Sequence, residues 1–190
     1  NFNPIAVIDD GSCLPVAGIN CDTAHIIPSL PYNVMGLSTA QYGSDYTAAN
    51  ACGSTYMDGE DYVFEYTTNI TECITATLSN TVFDAGIFIL DDCPDSPGAN
   101  CLAQDNGNNA LVNAVVIPGT YYIVVSSDPG FGGSNSVVFD IDVSSAIAGG
   151  VGSTCSNPQI INGSFSQTGL TTSCFGNLLF ITSNGFVLFH

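Results

Sequence analysis

SVVFDIDV, Ser136–Val143, alternates clearly. Val137, Phe139, Ile141 and Val143 fall on one side of an extended chain, with Asp140 and Asp142 on the other. Successive side chains of a strand point to opposite faces, so a period of two marks a strand with one face in a core and one in water. The same reading extends upstream. TYYIVVSS (Thr120–Ser127) runs into the turn Asp128-Pro129-Gly130, and Leu111–Ile117 ends at the turn pair Pro118-Gly119. AGIFIL (Ala85–Leu90) is a short apolar run, and CITATLS (Cys73–Ser79) sets Ile74, Ala76 and Leu78 opposite Thr75 and Thr77. YVFEYT (Tyr62–Thr67) puts Tyr62, Phe64 and Tyr66 on one face. Helix signals are nearly absent, because Glu is scarce and Lys and Arg are missing. Short strands broken by Gly, Pro, Asn and Asp predict an all-β, antiparallel β-sandwich of jelly-roll-like type.

The charge balance narrows the function. The 190 residues contain no Lys or Arg against 17 acidic residues, for a formal charge of −17. Neutralising nucleic-acid phosphates needs basic side chains, as does binding an anionic lipid surface, so both partners are excluded. No Lys or Arg salt bridge can form, and no phosphate clamp or Schiff-base lysine exists. No apolar run reaches membrane-helix length, so no membrane insertion is expected. The stretch has no basic n-region, so no signal peptide is expected within it.

AIAGGVGS (Ala146–Ser153) is small and Gly-rich and reads as a linker. Beyond it, Cys155 falls on Cys21, Ile160-Ile161 on Ile26-Ile27, and Gly169–Thr172 on Gly36–Thr39, a repeat of about 134 residues. The expected organisation is an N-terminal segment over 1–20, a sandwich over 21–145, a linker over 146–154 and a partial second β repeat over 155–190.

Eight cysteines at loop-like positions, with no CxxC spacing, indicate disulfides and an oxidising compartment. The repeat suggests Cys21–Cys52 and Cys155–Cys174, each within its own copy. CPDSPGANC suggests that Cys93 and Cys101 staple their own loop, which leaves Cys13 for Cys73. Eight cysteines allow 105 connectivities, so this is one map among many.

Two stretches carry a family resemblance. NFNPIAVIDDGSC (Asn1–Cys13) resembles the N-x-[DN]-P-x-A-x-x-x-D-G-S-C motif between domains of large secreted proteins of Bacteroidetes-type bacteria. Cys21–Val143 resembles the bacterial pre-peptidase C-terminal-like β-sandwich. The resemblance rests on the opening C-x-x-A-x-x-I, YVFEYT, FDAGIFILDDCP and PGTYYIVVSSD. It implies a non-catalytic module of a secreted or cell-surface protein, used in tandem and in some members binding calcium.

Candidate sites follow from residue type. Calcium wants six to eight oxygens, and Asp-rich turns supply them, so one structural calcium is the candidate cofactor. Its candidate ligands are Asp9, Asp10, Asp91 and Asp92, with Asp58–Asp61, Asp95 and Asp105 as further acidic loop positions. Asp also favours turns for its own hydrogen bonding. Asp22-Thr23-Ala24 resembles the O-glycan acceptor of Bacteroidetes, which makes Thr23 a candidate, and Asn69 and Asn162 head N-x-[ST] sequons. His25 has Asp22 and Ser29 near it in sequence but lies in an apparent strand, so it reads as structural and no enzyme is expected. Tyr32, Tyr42, Tyr46 and Tyr56 are candidates for stacking on sugars.

The partial repeat is too short to support a core by itself, yet it ends in apolar strands, Leu178–Thr182 and Phe186–Phe189. These must fold back, belong to a longer domain or complete another copy. The third option makes Leu178, Phe180, Phe186 and Leu188 assembly residues of a head-to-tail homopolymer. The functional expectation is therefore an extracellular, non-catalytic structural or adhesive protein, a pilus-like filament subunit that bears glycans. The alternative is a carbohydrate- or calcium-binding accessory module.

Overall fold

The alternating segments form two facing sheets. The structure is a computed structural model, and it describes residues 16–130, 135–147, 180–181 and 187–188. One sheet holds β1 (His25–Ile27), β3 (Tyr62–Thr68), β8 (Gly119–Ser127), β5 (Ala85–Leu90) and β6 (Cys101–Gly107), in the spatial order β1-β3-β8-β5-β6. The facing sheet holds β2 (Tyr32–Ser38), β9 (Val138–Ile147), β4 (Glu72–Ser79) and β7 (Leu111–Val116), in the order β2-β9-β4-β7. The predicted sandwich is the fold observed. One pair departs from the antiparallel expectation: β1 lies parallel to β3, with His25 opposite Phe64.

The core between the sheets is the set of residues the alternation selected. Tyr62, Phe64 and Tyr66 from β3 meet Ile74, Ala76 and Leu78 from β4 and Val137, Phe139, Ile141 and Val143 from the β9 arm. The ladder holds them in step, with Ala76 opposite Val143 and Leu78 opposite Ile141. Burying a side chain such as Phe139 contributes about 1.5–3 kcal/mol.

β9 runs two residues into the expected linker. Ala146 pairs with Cys73 and Ile147 with Glu72, because β4 is long enough to template them. The remainder of the linker, and the N-terminal segment through Cys13, lie outside the described residues. Of the partial repeat, the structure describes β10 (Phe180–Ile181) and β11 (Val187–Leu188), an antiparallel pair with Phe180 opposite Leu188.

A second apolar cluster lies on the opposite face of the five-stranded sheet. Val63, Val124, Phe88 and Leu90 point away from the inter-sheet core and meet Ala24, Tyr46 and Met57. The covering layer is a strap, residues 39–61, that carries a 3-10 turn at Thr55–Met57. It lies close on the sheet. A Cβ at Gly59 would come within 2.1 Å of Ser127 Oγ, and one at Gly86 within 2.7 Å of Tyr56 Cβ. With cover on both faces, every residue of β5 is buried.

The disulfides clamp this covering layer and correct the expected pairing. Cys21 bonds to Cys93 and Cys52 to Cys101, with Cα separations of 5.9 and 4.9 Å. Neither Cys21–Cys52 nor Cys93–Cys101 forms. Cys93 follows β5 and Cys101 opens β6. Each is therefore held at the sheet, where Cys93 meets Cys21 of the 3-10 turn Cys21–Thr23 and Cys101 meets Cys52 of the strap. The Cys93–Cys101 loop is closed instead by Asp91. Its Oδ1 accepts the Asn100 amide at 2.7 Å, and its Oδ2 accepts Asn100 Nδ2 at 2.8 Å. Cys73 is disulfide-bonded, with its partner outside the described residues. Cys13, Cys155 and Cys174 also lie outside them.

Candidate functional site

In a chain without Lys or Arg, the carboxylates find donors on the backbone and on neutral side chains. Asp92 Oδ1 accepts the Cys93 amide at 2.7 Å and the Ser96 hydroxyl at 3.1 Å. Asp58 accepts the Ala48 amide at 2.7 Å, Glu60 the Gln41 amide at 3.1 Å, and Asp105 the Leu111 amide at 2.9 Å. Asp140 accepts Gly36 N at 2.7 Å, and the side chain of Asn80. Asp91, Asp92, Asp58, Glu60 and Asp105 thus shape loops. Among the described residues, no three His, Cys, Asp or Glu side chains gather where they could hold a metal ion. Asp9 and Asp10 lie outside those residues.

Asp61 is the exception in burial. It ends the strap and stands one residue beyond the Tyr62–Val125 pair, beside Ser126. Its Oδ2 accepts the amides of Asp45 at 2.9 Å and Tyr46 at 3.0 Å. Its Oδ1 and the Ser126 hydroxyl are buried with no well-formed hydrogen bond. Burial pushes the carboxyl up to about 7, against the pull of Ser126 and the Tyr46 and Asp45 amides.

His25 is held by tyrosines, not by Asp22 or Ser29. Tyr62 Oη lies 2.9 Å from Nδ1 and Tyr32 Oη 2.8 Å from Nε2. The ring packs on Phe64 at 5.4 Å. Both nitrogens are therefore engaged within the fold. Of the four tyrosines that are candidates for stacking on sugars, Tyr46 is buried and Tyr32, Tyr42 and Tyr56 are half-buried. Tyr46 is buried against the Cys21–Cys93 bond, with its hydroxyl 3.1 Å from Cys21 Sγ. Tyr42 stacks on Tyr62 at 4.9 Å, Tyr56 lies against Gly86, and Tyr32 is half-buried on His25.

The feature that sequence reading missed is the edge strand β7. Among the described residues it pairs with β4 alone. Its inward residues Val112, Ala114 and Val116 are buried. Its outward residues Leu111 and Val115 are 45% and 52% exposed, and Ile117 just beyond it is 64% exposed. The signal was present in the sequence, since LVNAVVI has no charge and apolar residues in both phases of the alternation. The other three edges are guarded. β6 carries Gln104, Asp105 and Asn106, and β1 has only three residues. β2 breaks register between Val34 and Leu37, where Gly36 sits at φ +70° and is tied to Asp140.

The modification candidates differ in presentation. Asn69, Ile70 and Thr71 are all exposed in the β3–β4 turn. Thr23 is half-buried and donates its hydroxyl to Asn20 Oδ1 at 3.1 Å. Asn162 lies outside the described residues. Of the assembly candidates, Phe180 and Leu188 are register partners in the β10–β11 ladder. Leu178 and Phe186 lie outside the described residues. No helix among those residues is long and apolar enough to cross a membrane.

No family model matches the chain, and no curated protein matches it. Among solved structures, the chain is similar to PliG of Aeromonas hydrophila, a periplasmic lysozyme inhibitor of g-type lysozyme. The identity is 13% and the TM-score 0.43, over 64% of this chain and 95% of that one. At that distance, nothing about the inhibitor's activity carries over.

Proposed function

We propose that the protein is a secreted, non-catalytic structural module that joins other copies of itself into a filament by adding a strand at an open sheet edge. The observation that supports this reading is β7, an uncharged edge flanked by exposed Leu111, Val115 and Ile117. Soluble sandwiches blunt such edges with charge, proline, bulges or short strands, because an open apolar edge recruits other chains. Among the described residues, this fold uses length, register breaks and polar residues at its other three edges, and pairs β7 with β4 alone. Strand addition at an edge is an established recognition mode, in which the backbone supplies affinity and alternate side chains supply specificity.

Other features fit the same role. Disulfides belong to oxidising compartments, which suits a secreted or periplasmic protein. His25 is held between tyrosines, as a structural residue would be. The pre-peptidase C-terminal-like resemblance points to a tandem surface module. The exposed Asn69 turn is where a glycan would sit without meeting either sheet face.

Electron microscopy and sedimentation of the native protein test the proposal. It predicts fibres, or oligomers that grow with concentration. A monodisperse monomer at high concentration would overturn it.

A further inference from the structure

All 17 acidic residues lie at or before Asp142. From Val143 to His190 there is no Asp, Glu, Lys or Arg, and the stretch Ala110–Ser127 that contains β7 also has none. Two copies at −17 repel at close range. Contact between two uncharged segments is the arrangement that adds least to that repulsion. Among the described residues, β7 is an uncharged sheet edge, and residues 143–190 are an uncharged stretch. Resting on the assembly reading above, we infer that the tail of one copy, centred on β11 and its flanking residues Phe186–Phe189, is the strand that occupies the β7 edge of the next.

The chemistry of the two partners is matched. FVLF is apolar in both phases, so an extended strand offers Phe186 and Leu188 on one side and Val187 and Phe189 on the other. The β7 edge needs both sides filled. One continues the core layer of Val112, Ala114 and Val116, and the other covers Leu111 and Val115. Among the described residues, β11 pairs with β10 at two positions. Because donor and acceptor are different surfaces of one chain, the contact is head-to-tail and propagates.

Two single variants of the full chain test this. Val115→Asp places a charge at the exposed acceptor edge, and Leu188→Asp places one in the donor. Thermal melts within a few degrees of wild type show that each variant is folded. Each variant alone should lose assembly by at least tenfold in sedimentation. Mixing the two should restore a single joint, between the intact tail of Val115→Asp and the intact edge of Leu188→Asp, and should give a 1:1 dimer that grows no further. If wild type forms fibres and both folded variants still do, the assignment of donor and acceptor is overturned while the assembly reading stands. If wild type is a monomer whose tail becomes chymotrypsin-sensitive only in the variants, the tail sits on its own copy, and both readings fall.

Discussion

The backbone amide of Tyr46 donates to Asp61 Oδ2 at 3.0 Å, and both residues are buried where the strap meets the sheet. This bond joins the disulfide end of the strap to the start of β3, since Tyr46 Oη also lies 3.1 Å from Cys21 Sγ. In a chain without Lys or Arg, this buried carboxyl has no ammonium or guanidinium to pair with. Burial therefore raises Asp61 to about 7.

The sign of the pH effect follows. Asp61 binds its proton more tightly folded than unfolded, where its value is 3.8. Its contribution is fully present below about pH 4, falls as pH rises toward 7, and is lost above. The span corresponds to on the order of 4 kcal/mol. Asn imitates the protonated carboxyl, with an oxygen for the two amides and a donor for Ser126. Urea denaturation at pH 4.5 and 8 should show wild type losing stability relative to Asp61→Asn as pH rises. A constant difference between the two proteins would refute the role of Asp61.

The disulfides give a direct chemical prediction. Peptide mapping of unreduced protein with pepsin should recover Cys21 joined to Cys93 and Cys52 joined to Cys101. The bridges span 72 and 49 residues. Removing either pair as a double serine variant should cost about 2–5 kcal/mol. Peptides that join Cys93 to Cys101 would contradict the fold described for the strap.

The difference between the two cysteine maps shows what a single sequence carries. The inter-sheet core was legible because its strands have one wet face, so Ile74, Ala76, Leu78, Phe139 and Ile141 declared themselves by alternation. The second cluster was not legible as a layer. Its sheet residues, Val63, Val124 and Phe88, occupy positions that a two-layer sandwich assigns to solvent. The unbroken run AGIFIL was the one signal, since a strand buried on both faces loses its alternation. β6 was missed because CLAQDNG is polar and exposed, and β2 because its register breaks at Gly36. Pairing by repeat and by loop proximity favoured local bridges, whereas the 3-10 turn at Cys21 and the strap at Cys52 each meet a sequence-distant cysteine of the sheet. The β7 edge was visible as a strand, but its exposure depends on its place at the end of a sheet.

Tyr66 and Glu72 predict a local electrostatic effect. Tyr66 Oη donates to Glu72 Oε1 at 2.7 Å, with both residues buried. Burial works to raise Glu72, but hydrogen bonds from Thr68, Ser145 and Tyr66 outweigh it and hold the carboxyl below its ordinary value. That stabilisation is present above the unfolded pKa and is lost as pH falls through the folded one. Tyr66→Phe removes a donor and should cost about 1–3 kcal/mol at pH 7. It should also shift the Glu72 titration upward in NMR. An unchanged Glu72 titration would mean that the hydroxyl contributes nothing.

Neighbouring residues of β9 separate core from surface. Phe139 is fully buried between the sheets, while Val138 is exposed. Phe139→Ala should cost about 3–5 kcal/mol, and Val138→Ala less than about 0.5 kcal/mol. Comparable losses at both positions, read by chemical denaturation, would place β9 in the wrong phase.

The central claim is that the β7 edge of one copy holds the tail of another. The most direct measurement is cross-linking in a chain carrying both Val115→Cys and Leu188→Cys, allowed to assemble and then oxidised. The account predicts a ladder of covalent multimers on a non-reducing gel, absent from wild type and collapsed by reductant. A single band of monomer mass, with the two new cysteines joined within one chain or left unjoined, would contradict it.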